Sequence, residues 1–75
     1  MKLLRKFKKG DLFTCNVLYR TSVIRDGYIV GCIYPYNVGI AIKMSSSSST
    51  YGGDLYLVYI NNIICDMYEH FMKKI

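Results

Sequence analysis

The sequence predicts a mostly-β fold, a small five-stranded barrel with a short helix at each end. Three observations predict it. Val, Ile, Thr, Tyr and Phe make up 28 of the 75 residues, and these side chains fit a pleated, half-buried surface. Ala and Glu occur once each and Gln not at all, so helix formers are scarce. Turn residues recur at short intervals: Gly10-Asp11, Asp26-Gly27, Pro35-Tyr36-Asn37, Gly52-Gly53-Asp54 and Asn61-Asn62. At 75 residues the chain holds one domain, 1–75.

Residues 2–9 read as a basic amphipathic helix, with Leu3, Leu4 and Phe7 on one face and lysine and arginine on the other. A helix that short needs docking to hold. From Leu12 to Tyr19, alternation puts Phe13, Cys15, Val17 and Tyr19 on one side of a strand. Val23-Ile24-Arg25 is extended, and Asp26-Gly27 marks a two-residue hairpin turn. Residues 28–34 are apolar on both faces, which predicts a strand buried on both.

After the 35–37 turn, alternation over 38–44 turns Val38, Ile40, Ile42 and Met44 inward and Gly39, Ala41 and Lys43 outward. The serine tract makes 45–54 a flexible Ser/Gly loop. Residues 55–60 and 63–65 are strands around Asn61-Asn62. Asp66 to Ile75 reads as a C-terminal helix. Asp66 and Glu69 stand at capping-box spacing, Met67, Phe71 and Ile75 recur at i, i+4, i+8, and Lys73 and Lys74 complement the macrodipole. Five bent antiparallel strands over 12–65 can close as an SH3-like or OB-like barrel.

The run Val23-Ile24-Arg25-Asp26-Gly27-Tyr28-Ile29-Val30-Gly31-Cys32-Ile33 resembles the first motif of the Sm-like fold, most closely its bacterial Hfq branch. The likeness continues through Tyr36-Asn37 into the strand ending near Met44, and through Leu57-Val58-Tyr59 with Ile63, and so spans about residues 2–65. It implies an SH3-like/Sm-like barrel, RNA binding and edge-to-edge oligomers. The sequence departs from the family at its contact positions. Asn37 stands where the family usually has Asp, Gly39 where it has a stacking aromatic, and Ile60 and Asn61 where it has Lys-His.

The formal net charge is +5, and Lys2, Arg5, Lys6, Lys8 and Lys9 carry all of it; five bases and five acids balance from Gly10 onward. A basic cluster followed by aromatics fits phosphate contact plus base stacking. Lys2, Arg5, Lys6, Lys8 and Lys9 are therefore the candidate phosphate contacts, with Tyr36 and Asn37 as candidate base contacts. Tyr28, Tyr34, Tyr51 and Tyr56 are further candidates for stacking.

Cys15, Cys32 and Cys65 are odd in number and lack metal-ligand spacing, so they read as buried reduced thiols. His70 is the only histidine and has no nucleophile signature around it. No Gly-rich phosphate loop precedes a helix. The expectation is therefore a non-enzymatic protein without metal or cofactor. It binds nucleic acid, RNA favoured, as a homo-oligomer in the cytoplasm, with no signal peptide and no membrane span. The alternative is a protein-interaction module, such as a small phage or mobile-element inhibitor or adaptor.

Overall fold

The computed structural model describes residues 7–46 and 53–75. They form one antiparallel sheet of seven strands: β1 (Leu12–Cys15), β2 (Thr21–Arg25), β3 (Tyr28–Ile33), β4 (Val38–Ser46), β5 (Leu55–Ile60), β6 (Ile63–Tyr68) and β7 (Met72–Lys74). The order across the sheet is β3-β2-β6-β5-β4-β1-β7. The mostly-β expectation holds, but the barrel is not closed: β3 and β7 are the two ends of the sheet and do not pair. The fewest registered pairs join the β3-β2 hairpin to the rest of the sheet, where β2 meets β6 through the single pair Ile24 and Asp66.

Two hairpins form where the turn residues place them. Asp26 and Gly27 have φ of 52° and 85°, and Asn61 and Asn62 have 51° and 63°. Positive φ at both central residues is the type I′ signature, and the flanking pairs are Arg25 with Tyr28 and Ile60 with Ile63.

Both predicted helices need correction. Of the 2–9 helix, residues 1–6 lie outside the described residues, and residues 7–9 are not helical. The segment docks through Phe7, which is buried against Phe13 (ring centroids 6.1 Å apart) and Tyr56 (5.5 Å), both edge-to-face. The Phe7 N–H donates to Tyr56 Oη at 3.3 Å. In place of the 66–75 helix stand the end of β6, a 3₁₀ turn (Glu69–Phe71) and β7. Glu69 does not cap a helix. Its N–H donates to the Asp54 carbonyl at 2.9 Å, and its Oε1 accepts the Asp54 N–H at 3.0 Å. A backbone ladder to β5 and β1 satisfies more groups than one isolated ten-residue helix end. Gly53, with φ of 89°, lies against Glu69, and a Cβ there has no room.

The strand faces also differ from the alternation in β4. Gly39 and Ala41 face the core, while Val38 and Ile40 are exposed. A register shift between Ala41 and Lys43 then returns Met44 to the inner side. Phe13 is the cause. It sits opposite Gly39 across the β1/β4 pair, and a Cβ on Gly39 would lie 2.6 Å from the ring and 3.0 Å from the Tyr59 carbonyl. A large ring fills the space that small neighbours leave. Gly39→Val should therefore cost about 1–3 kcal/mol through overpacking, read as a lower urea midpoint. An unchanged midpoint would show that this side of β4 does not face the core.

β3 is not buried on both faces either. It is an edge strand, and Tyr28, Ile29 and Val30 are exposed. The core is Phe7, Phe13, Cys15, Val23, Ile33, Ala41, Tyr56, Val58, Ile60, Cys65, Met67 and Met72. Of the predicted 45–54 loop, Ser45 and Ser46 belong to β4, Gly53 and Asp54 are held at Glu69, and 47–52 lie outside the described residues.

Candidate nucleic-acid interface

The last strand lies against the 7–15 segment. β7 pairs with β1 through Phe13 with Lys74, Thr14 with Lys73 and Cys15 with Met72. Lys74 Nζ lies 3.5 Å from Asp11 Oδ2 and 5.5 Å from the centroid of the Phe7 ring. Asp11 also accepts the Lys8 N–H at 2.9 Å. That backbone N–H, with the Lys74 ammonium beside it, holds the Asp11 carboxyl below its ordinary range. Lys8 and Lys9 are exposed on this 8–11 turn.

Lys73 and Lys74 also line an open groove of about 450 Å³ with Asn16, Leu18, Tyr36 and Ile75. Lys73 has no ion pair among the described residues. Lysines on an edge strand also discourage pairing with another strand.

Tyr36 forms the far rim of the groove. In the 34–37 turn, the Asn37 N–H donates to the Tyr34 carbonyl at 3.1 Å, with Pro35 and Tyr36 between. Tyr36 has φ of 69° and is 84 % exposed. Pro followed by a positive φ is the type II pattern, and its second central position favours glycine. A bulky residue there is strained. The chain holds the strain because the turn is tied on both sides. Asn37 Oδ1 accepts the Tyr34 N–H at 2.8 Å and the Asn61 side-chain amide at 2.8 Å, and that amide also reaches the Cys32 carbonyl at 3.3 Å. The Asn37 carbonyl accepts the Cys15 N–H at 2.9 Å.

The predicted site residues thus divide. Tyr36 lies at the groove with Lys73 and Lys74. Lys8 and Lys9 lie on the turn adjoining Lys74. The Asn37 side-chain oxygen is spent inside the fold, so this residue is a turn brace. Lys2, Arg5 and Lys6 lie outside the described residues. Tyr56 is 1 % exposed and belongs to the core, while Tyr28 and Tyr34 are exposed and Tyr51 lies outside the described residues.

Lys73 and Lys74 were legible only as helix-end cations, and the signal for a strand was the short run Met72-Lys73-Lys74 itself, a lysine-guarded edge. Replacing Asn37 with alanine removes the acceptor of the exposed Tyr34 N–H and should cost about 0.5–1.5 kcal/mol, the net worth of an ordinary hydrogen bond. A thermal melt within error of the unsubstituted protein would refute the bracing role.

Cys15 and Cys65 are buried, and burial pushes each thiol up to about 11, with smaller contributions from Cys65 and Asp66 respectively. Cys32 is only half-buried, correcting the expectation of three buried thiols, and its Sγ lies 3.9 Å from Tyr34 Oη. A disulfide-exchange reagent at pH 8 should label Cys32 and spare the other two until the chain unfolds.

The pH dependence follows. The unfolded chain releases both thiol protons near the ordinary value of 9.0 and the native state only near 11. Stability is full below about pH 9 and falls as pH rises through that window. The Cys15→Ala/Cys65→Ala variant should show a shallower loss of urea stability from pH 9 to 11, and an equal slope would contradict the assignment.

Among the described residues, no group of three or more His, Cys, Asp and Glu side chains is placed to hold a metal ion. No helix among them is long and apolar enough to cross a membrane. His70 is exposed on the 3₁₀ turn, with its ring edge-to-face on Phe71 at 5.4 Å. No protein-family model, no curated protein and no solved structure matches this chain.

Proposed function

We propose that this protein is a non-enzymatic nucleic-acid-binding protein, with single-stranded RNA the favoured ligand and the groove between β7 and the 34–37 turn as its site. One observation carries the reading. Tyr36 is held, fully presented, at a backbone position that favours glycine, on the rim of a groove that also carries Lys73 and Lys74. Strain kept at a surface aromatic has no packing benefit to offset it, and strained residues cluster at functional sites. An exposed ring with lysines beside it is how single strands are held, through base stacking and phosphate neutralisation. Lys8 and Lys9 extend the positive surface at the 8–11 turn, and Lys2, Arg5 and Lys6 precede it in sequence. The Sm-like resemblance bears on the small β fold more than on RNA, since Asn37, Gly39, Ile60 and Asn61 stand at the family's contact positions; the groove itself supports the ligand. Three free cysteines favour a reducing compartment, the cytoplasm.

Fluorescence anisotropy with a labelled RNA of about a dozen nucleotides tests this. Lys73→Glu should weaken binding and make the fall of log K with log salt shallower by about 0.7 for each phosphate no longer neutralised. No binding by the unsubstituted protein at about 50 mM salt, where charge contacts are strongest, ends this reading.

The second reading is a protein-interaction module of the phage or mobile-element inhibitor or adaptor kind. The edge strand β3 favours it. From Tyr28 to Ile33 it carries no charge and no proline, and its outer residues are exposed. Such an edge accepts a strand from a partner. Recovery of a partner that survives nuclease treatment and is lost in Ile29→Lys would favour this second reading.

A further inference from the structure

The sheet has two faces, and the core occupies only one of them. The outer side chains fall in rows across the strands. One row runs Leu12, Ile40, Tyr59, Ile64 through the registered pairs of β1, β4, β5 and β6. All four are apolar, and they are 48 %, 41 %, 43 % and 38 % exposed. Single exposed apolar residues are ordinary, but a row unbroken across four strands is a patch. The neighbouring row runs Lys43, Leu57, Asp66, Ile24. Lys43 and Asp66 flank Leu57, one strand to each side, and so lie about 10 Å apart, two interstrand spacings. Neither has an ion pair among the described residues.

That arrangement is self-complementary. A two-fold axis laid along β5 in the plane between two stacked sheets exchanges β4 with β6. It sets Lys43 of one copy opposite Asp66 of the other, twice, because the relation is reciprocal. The same operation sets Ile40 opposite Ile64, and Tyr59 and Leu57 opposite their own equivalents. Stacked sheets lie about 10 Å apart with near-aligned strands, so the side chains of facing rows interdigitate. We infer that the outer face of the sheet is a homodimer interface, an apolar row closed at its side by two reciprocal pairs of Lys43 and Asp66. This differs from the edge-to-edge oligomer of the Sm-like resemblance. It does not depend on the groove either, since neither Lys43 nor Asp66 lines it.

The test is the solution mass by sedimentation equilibrium on the full chain at about 100 µM. The unsubstituted protein should weigh twice 8.7 kDa and fall towards the monomer on dilution. Lys43→Asp alone and Asp66→Lys alone should each be monomeric, since each faces like charges across the axis. Mixed in equal amounts, the two variants should return to twice the monomer mass, because every facing pair is then opposite in sign. Ile40→Lys, which breaks the apolar row without touching these charges, should also be monomeric. Circular dichroism should show the strand signal intact in all three, whose altered side chains are at least partly exposed. A monomer at that concentration, a dimer indifferent to both single reversals, a mixture that stays monomeric, or a larger ring overturns the inference.

Discussion

Phe7→Ala should cost about 3–5 kcal/mol, the usual range for emptying a buried aromatic site. The ring fills the space between Phe13 and Tyr56 and is itself 1 % exposed. The loss includes the cation–π contact with Lys74, about 0.5–1 kcal/mol at a partly exposed position. A domain of this length has about 4–11 kcal/mol in total, so at least about a quarter of its stability rests on one residue of the basic segment. Urea unfolding measures this directly, and a cost below about 1 kcal/mol would show that the segment does not dock.

The point bears on function as well. Deleting residues 2–9 removes a core ring together with five charges, so a loss of binding would not identify the charges as the cause. Charge reversal at Lys8 and Lys9, which are exposed, separates the two.

Tyr36→Gly should move stability and binding in opposite directions. Glycine relieves the positive φ, and the exposed ring contributes little packing, so the fold should gain about 0.5–1 kcal/mol after allowing for glycine's greater freedom in the unfolded chain. That is several degrees in Tm for a domain of this size. Single-stranded RNA should at the same time lose one stacking platform, about 1–3 kcal/mol, or about 5- to 150-fold in Kd. A substitution that stabilises the protein and disables it identifies a residue kept for function rather than for folding. Equal affinity in Tyr36→Gly would remove Tyr36 from the site, and a lower Tm would mean that the ring packs after all.

Local chemistry was legible wherever it was decided locally. Asp26-Gly27 and Asn61-Asn62 specify their own turns, and the apolar run Leu55 to Ile60 marks a strand, but a run without a polar residue does not say that Tyr56, Val58 and Ile60 face inward. Long-range competition was not legible. Met67, Phe71 and Ile75 have helical spacing, yet the unpaired edges of β5 and β1 offered the same residues a hydrogen-bonded ladder, and Asp54 took the Glu69 side chain that a helix cap would have used. In β4 the alternation was correct but its phase was not, because Phe13 selects Gly39 as its cross-strand neighbour and the period then turns Ala41 inward as well.

The candidate site was half legible for the same reason. Tyr36 announces itself on a Pro-Tyr-Asn turn, whereas Lys73 joins it only once β7 has paired with β1.

The most direct test of the nucleic-acid groove is where RNA touches the protein. Photo-crosslinking a thiouridine-substituted single strand, followed by peptide mass spectrometry, reads this without a substitution. Crosslinks should fall on Tyr36 and on the C-terminal peptide that carries Lys73. Crosslinks confined to β3, or none above a nuclease-treated control, would contradict it.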